Sequence, residues 1–282
     1  MEFRTFAWLL RRSVVAAADD NCFSIAKGAA YSALLSFFPV LTSAATILVQ
    51  TRAEYVSNLL ERALSDIVPP GSESLVVQQF RIIGARPAAV LVVAGFISLW
   101  AASSVVKSLI EGFQAAYRVP RDRGFLANSG VAMALVLASA VPLIAASLLL
   151  LFGSTVDRLV LDFIKVDPLL NPVSGLWSFL SRIASYVVAF ATTVSVTILL
   201  YYFGPYRRQQ WQYVWPGALL ATAFWMAATV GFGWYVRHVG RYNVMYGSIG
   251  AGIALLVWMY LMSAIALIGC EFNAEYERSQ KE

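Results

Sequence analysis

Long uninterrupted apolar runs are the main feature of this chain of 282 residues. A helix needs about 20 apolar residues to cross the hydrocarbon core of a bilayer, and six runs are long enough. The predicted spanning helices are 28–50, 88–106, 130–153, 179–203, 214–235 and 247–270. Membrane β-strands would be about ten residues long and would alternate in polarity. The pattern therefore predicts an all-α, polytopic membrane protein with a bundle of six transmembrane helices.

Charged residues are almost completely excluded from these runs, since Arg182 is the only one inside a predicted span. Across the chain, 59% of the residues are hydrophobic and 13% are charged, whereas about 25% charged residues is usual in soluble proteins. A soluble body of this size could not bury so much apolar surface. The composition therefore supports a membrane protein.

Shorter segments with helical apolar spacing flank the spans and predict additional amphipathic helices at the membrane surface. Within the N-terminal segment 1–27, residues 3–20 are expected to form one that lies along the interface. Similar short helices are expected at 56–67, 75–83 and 156–164. We predict a single membrane domain over 1–282, with 271–282 as a cytosolic tail.

The distribution of Lys and Arg predicts the orientation of the chain. These residues are more frequent in the segments 1–27, 107–129, 204–213 and 271–282 than in the segments 51–87, 154–178 and 236–246. Cytoplasmic segments of membrane proteins carry the excess of Lys and Arg. Both termini are therefore expected in the cytoplasm.

The residue types needed for hydrolytic or metal chemistry are scarce. The chain has one histidine, His238, and two cysteines, Cys22 and Cys270, at opposite ends. It contains no HxH, HExxH, CxxC, GxSxG or GxxxxGK[ST] pattern. We therefore expect no enzyme activity, no catalytic residues, no bound metal and no cofactor. The net charge of +5 is expected to face anionic lipid rather than nucleic acid.

Polar residues at the ends of the spans are the candidates for a functional site. Around the first, second and sixth spans they either anchor the helices at the membrane surface or line a polar vestibule that opens from the cytosol. On the other side, Arg237 and Arg241 flank His238 and either lie in a solvated loop or bind an anionic head group. The candidate pathway residues are Lys27, Tyr31, Ser32, Glu111, Glu271, Asn273, Arg237 and Arg241.

Several short motifs resemble the YihY/BrkB family of bacterial inner-membrane proteins. In chain order they are Ala29-Ala30-Tyr31, Ser36-Phe37-Phe38-Pro39, Trp215-Pro216-Gly217-Ala218, Tyr246-Gly247-Ser248-Ile249-Gly250-Ala251, Trp258-Met259-Tyr260 and Gly269-Cys270-Glu271-Phe272-Asn273-Ala274-Glu275. The resemblance extends over about residues 20–278. Pro39, Tyr246, Gly247 and Ser248 are taken as structural residues of these motifs, for bending and packing helices.

The resemblance implies six spans, cytoplasmic termini and a location in the bacterial inner membrane. The family was once labelled ribonuclease BN, a label regarded as a misassignment; one branch is tied to virulence, and other relatives are linked to envelope lipid export. We therefore expect a transporter or binder of an amphipathic envelope molecule, with an anionic lipid as one candidate and membrane lipids as partners. Two alternatives remain: a structural or assembly factor, acting as a homo-oligomer or with envelope proteins, and a ribonuclease, for which the metal ligands are missing.

Overall fold

The computed structural model describes residues 3–50, 88–119, 124–163, 173–238 and 242–281, and every regular element among them is an α-helix. These are α1 (Phe3–Asp19), α2 (Cys22–Gln50), α3 (Ala88–Ala116), α4 (Phe125–Phe163), α5 (Val173–Phe203), α6 (Trp211–His238) and α7 (Tyr242–Ser279). Each of α2–α7 contains a stretch long and apolar enough to cross a membrane. The predicted all-α bundle with six spanning helices is confirmed.

The helices extend beyond the apolar runs from which they were predicted. The last one continues from residue 270 through Ser279, so most of the expected tail is helical. Segment 156–163 continues α4 and is not a separate helix, while the segments 56–67 and 75–83 lie outside the described residues. Apolar runs report the thickness of the lipid core, whereas packing and caps decide where a helix ends.

The six spanning helices form a closed ring. Each helix from α2 to α6 packs against the next one along the chain, and α7 packs back against α2. Helix α1 packs mainly on α7. The ends of the chain therefore meet at one end of the bundle, which we call the termini end. That this end faces the cytoplasm remains a prediction from the charges.

Helix α1 packs one face against the bundle and leaves another exposed. Leu9 and Ala17 are buried, and the ring of Phe6 lies 5.8 Å from the ring of Phe272 on α7. Trp8 is exposed. The segment 1–27, which we expected to be one interfacial region, divides before Cys22, where α2 begins.

Helices α6 and α7 approach each other closely at two glycines. A Cβ atom on Gly217 would collide with the carbonyl oxygen of Gly269, and a Cβ on Gly269 would lie 2.6 Å from the Cβ of Ala221. Small residues allow membrane helices to approach this closely. Two of the motifs singled out in the sequence, 215–218 and 269–275, therefore meet in space.

This contact predicts that Gly217→Ala destabilises the protein. The added methyl group must push α6 away from α7, and overpacking of this kind costs about 1–3 kcal/mol. Gly231→Ala is the matched control, because nothing lies within 4 Å of a Cβ at that position of the same helix. Thermal unfolding in detergent should show a lower midpoint for Gly217→Ala alone, and equal midpoints for the two variants would contradict the contact.

Candidate functional site

A cavity of about 550 Å³ lies inside the ring, and all six spanning helices contribute to its wall. On α3 the lining residues run from Ala102 to Phe113, and on α7 from Trp258 to Ala266. At 1.5 Å per residue, the stretch on α3 corresponds to about 16 Å along the helix axis. The cavity therefore occupies about half of a hydrocarbon core that is about 30 Å thick.

The wall of the cavity is apolar in effect, although it contains several hydroxyl groups. None of the described residues that line it carries a charge. Most of its hydroxyls donate to backbone carbonyls: Ser36 to Ala33 O, Thr193 to Ala189 O, Thr197 to Thr193 O, Thr222 to Ala218 O and Tyr201 to Ala266 O. These bonds leave mainly carbon atoms facing the space.

Ser139 differs from these five hydroxyls. It is 8% exposed, and its Oγ has no hydrogen-bond partner among the described residues. A buried hydroxyl left unsatisfied costs about 1–3 kcal/mol. Ser139 therefore gives the wall a hydrogen-bonding group that the described part of the fold does not use.

Tyr201 closes the cavity toward the termini end. Its side chain is fully buried, its ring meets the ring of Phe113 edge-on at 5.1 Å, and its Oη donates to Ala266 O over 2.5 Å. A Cβ on Gly269 would lie 2.6 Å from this Oη. Tyr201 thus joins α5 to α7 where the cavity ends.

Asn273 lies below this floor and bonds to the backbone of α6 on both sides of Pro216. Pro216 has no N–H and interrupts the hydrogen-bond ladder of its helix. The Oδ1 of Asn273 accepts from Gly217 N at 2.7 Å, and its Nδ2 donates to Val214 O at 2.8 Å. One buried side chain therefore satisfies both a donor and an acceptor of the neighbouring backbone.

Glu271 is buried beside the start of α2. Its side chain is fully buried, and its Oε1 accepts a hydrogen bond from the Sγ of Cys22 at 3.5 Å. Its Oε2 has no hydrogen-bond partner among the described residues. Glu271 and Asn273 together form a buried polar layer between the cavity and the termini end.

A cluster of ion pairs joins the helices at the termini end. Glu275 pairs with Arg12 of α1 at 2.5 Å and with Arg278 of its own helix. Glu277 pairs with Arg207, from the connection between α5 and α6, at 2.6 Å, and with Lys281. We call these six residues the terminal ion-pair cluster. It ties α1, α7 and the α5–α6 connection together.

Two residues extend this cluster to the end of α3. Arg278 donates to the carbonyl of Ala116 at 2.7 Å, and the guanidinium of Arg207 lies 4.5 Å from the centre of the Tyr117 ring. Burial raises the pKa of the Tyr117 phenol well above its ordinary value, so the ring stays neutral beneath the cation. The α3 terminus is thus held by cations from two other elements.

The structure brings some of the sequence-predicted site residues together and separates others. Glu271 and Asn273 are buried in the polar layer, and Ser32 is partly buried on α2. In contrast, Lys27, Tyr31 and Glu111 are exposed, and none of the three lines the cavity. A vestibule formed by these residues remains a prediction.

The other predicted residues lie at the edges of the described segments or outside them. The side chain of Arg237 and all of Arg241 are outside it, as are the side chains of Tyr246 and Ser248; Gly247 also lies within α7. Pro39 is described, and its carbonyl accepts a hydrogen bond from the Oγ of Ser98 at 2.8 Å. Pro39 is therefore joined to α3, and the bend in α2 remains a prediction.

Sequence reasoning missed the cavity. Its wall contains Ser139, Trp225, Trp258 and the pair Thr193 and Thr197, which are one helical turn apart. Hydroxyls repeated on one face of an apolar helix were the available signal. They do not distinguish a cavity wall from an ordinary helix contact.

A family model described as virulence factor BrkB matches residues 14–282. The chain belongs to the BrkB virulence factor family. The resemblance inferred from the short motifs is confirmed, and two of those motifs form the α6–α7 contact and the polar layer in this BrkB-family protein.

Several relatives cover nearly the whole chain. The Bacillus subtilis (strain 168) protein YfkH, which carries a ribonuclease-like name, is 29% identical over 256 residues, 89% of each protein. A UPF0761 membrane protein of Alkalilimnicola ehrlichii is 30% identical over 257 residues, which cover 90% of this chain and 55% of that relative. A UPF0761 membrane protein of Halorhodospira halophila is 26% identical over 255 residues, 90% of this chain and 53% of that relative. The chain thus spans about half the length of these two UPF0761 relatives. No solved structure matches the chain.

The described residues offer no arrangement that would support ribonuclease chemistry with a metal ion. Among them, no group of three His, Cys, Asp or Glu side chains is placed to hold one. A metal-dependent nuclease usually binds its ions through such a group. The ribonuclease-like name of YfkH therefore finds no corresponding site in the part of this chain that the structure describes.

The bridging role of Asn273 predicts that Asn273→Ala destabilises the protein. The change leaves Gly217 N–H and Val214 O without their side-chain partner, at about 1–3 kcal/mol for a buried unsatisfied group. Asn273→Asp keeps an acceptor for Gly217 N–H but buries an unpaired carboxylate beside Val214 O, so we expect a midpoint no higher than that of Asn273→Ala. Gln212→Ala, which removes an exposed amide from α6, is the control and should leave the midpoint unchanged. A midpoint for Asn273→Ala equal to that of the control would refute the bridge.

Proposed function

We propose that this BrkB-family protein binds the hydrocarbon part of an amphipathic envelope molecule and carries it across the bacterial inner membrane, with both termini in the cytoplasm. The observation that carries the proposal is the uncharged cavity inside the six-helix ring. Ligand sites in membrane bundles are built between facing helices in this way. A space between spanning helices suits a molecule that crosses the bilayer, which supports the proposal.

The size and lining of the cavity favour a hydrocarbon. An apolar cavity of about 150 Å³ stays free of water and takes up benzene, so a space of about 550 Å³ fits a considerably larger apolar group. Water would find few partners, because most wall hydroxyls already donate to backbone carbonyls. An acyl or similar chain satisfies both conditions.

The charges of the protein favour a head group that stays outside the cavity. Lys27 and Arg11 are exposed near the termini end, where an anionic lipid head group would meet them. Such a group would find no counter-charge among the described lining residues, and a buried unpaired charge is strongly disfavoured. The ligand we propose is therefore amphipathic, with an anionic lipid as the leading candidate.

The proposal predicts lipid movement in reconstituted liposomes. Protein-containing vesicles should exchange a fluorescent anionic phospholipid between leaflets faster than protein-free vesicles, measured by quenching of the outer leaflet with dithionite. Ala140→Phe places a ring in the cavity and should return the rate to the protein-free value. Ala138→Phe is the matched control, because Ala138 is exposed on the same helix and should leave the rate unchanged.

Two outcomes would oppose the proposal. Equal rates with and without protein, across several anionic lipids, would remove lipid movement. Full activity in the Ala140→Phe variant would mean that the cavity is not the pathway. A stoichiometric envelope protein that purifies with an inactive protein in native lipid would support the assembly-factor alternative.

A further inference from the structure

We propose that Ser139 donates a hydrogen bond to an uncharged oxygen of the bound molecule, and that the substrate class is a fatty acyl ester. This inference rests on the proposed function, because it assigns a specific contact within the same cavity. It identifies the side chain that recognises a polar atom of the ligand and gives the depth of that side chain in the bundle.

The first observation is the different behaviour of the serines on α4. Ser129 donates to Phe125 O at 2.9 Å and Ser147 donates to Leu143 O at 2.8 Å, each to the carbonyl four residues earlier. This bond is the usual one for a serine in an apolar helix. Ser139 lines the cavity and makes no such bond, and its Oγ has no partner among the described residues.

The second observation is that Ser139 is buried without being satisfied. Exposed serines reach other partners at the surface, but Ser139 is 8% exposed and lies within the hydrocarbon part of the bundle. Unsatisfied polar groups are rare in the interior of proteins. A ligand oxygen in the cavity would supply the partner that the described part of the fold does not.

The uncharged wall limits the chemistry of that oxygen. Since no described lining residue is charged, a phosphate or carboxylate beside Ser139 would be buried without a counter-charge. An ester carbonyl accepts one hydrogen bond and carries no net charge, so one serine is sufficient.

The depth of Ser139 separates this contact from the head group. Ser139 lies 14 residues after the start of α4 at Phe125, which is about 21 Å along the helix at 1.5 Å per residue. A head group at the termini end would not reach this depth. The oxygen must therefore belong to an acyl ester within the apolar part of the ligand, well separated from its head group.

Two tryptophans in the cavity wall provide a direct binding assay. Trp225 and Trp258 both line the cavity, so bromine atoms on a bound chain would quench their fluorescence. The full-length protein in detergent is titrated with a brominated fatty acid methyl ester and with a brominated alkane of equal length. The double variant Trp225→Phe/Trp258→Phe gives the quenching that arises outside the cavity, which is subtracted.

The inference predicts a selective effect of Ser139→Ala. Loss of one hydrogen bond should raise the dissociation constant of the ester roughly two- to tenfold, while that of the alkane stays unchanged. Ser139→Thr keeps the hydroxyl and should retain the preference for the ester. Ser147→Ala, which changes a back-bonded serine on the same helix, should bind both probes like the unmodified protein.

The outcomes distinguish this inference from the proposed function. If the unmodified protein shows no more quenching than the double tryptophan variant with either probe, cavity binding itself is wrong. If both probes bind but Ser139→Ala binds the ester as tightly as before, cavity binding stands and the role of Ser139 is overturned. A brominated long-chain alcohol is tested in parallel: an equal loss for ester and alcohol extends the class to uncharged oxygens generally, and a loss for the ester alone restricts it to esters.

Discussion

The structure depends on one constraint, which is that the hydrocarbon core of a membrane supplies no hydrogen-bond partners. Pro216 interrupts the ladder of α6, and Asn273 of α7 provides the donor and acceptor at that turn. Hydroxyl groups within the spans donate hydrogen bonds to backbone carbonyls of their own helix, as those of Thr193 and Thr222 do. Against this background Ser139 and the free oxygen of Glu271 are notable, because the same rule makes unsatisfied groups rare.

Most of the fold could be predicted from the sequence, because each helix that spans a bilayer produces a long apolar run in the sequence. A helix in lipid must be apolar over about 20 residues, so six runs predicted six spans. The helix ends could not be predicted in this way. Residues 271–279 carry several charges, yet they form the last turns of α7, because Glu275 and Glu277 are paired with Arg12 and Arg207. Those partners lie far away in the sequence, where no local pattern indicates them.

The candidate site was predicted only in part, for a related physical reason. Glu271 and Asn273 were selected because polar residues at a span end require partners, and both are buried in the polar layer. Lys27, Tyr31 and Glu111 met the same criterion, but their helices present them outward. A helix surrounded by lipid on one side and apolar neighbours on the other is hydrophobic all round. Its inward face, and hence the cavity, cannot be read from the spacing of apolar residues.

Tyr201 lies between the cavity and the contacts that hold the termini end together. It forms the floor of the cavity, and its hydroxyl holds the carbonyl of Ala266 on α7. About two to three turns further along, α7 carries Asn273, which binds α6, and Glu277, which pairs with Arg207 between α5 and α6. A passage from the cavity to the termini end would require Tyr201 to leave α7, while the lower contacts hold the same three helices together. Because these contacts share the same helices, Tyr201, Asn273 and the terminal ion-pair cluster form one continuous set of interactions at this end of the bundle.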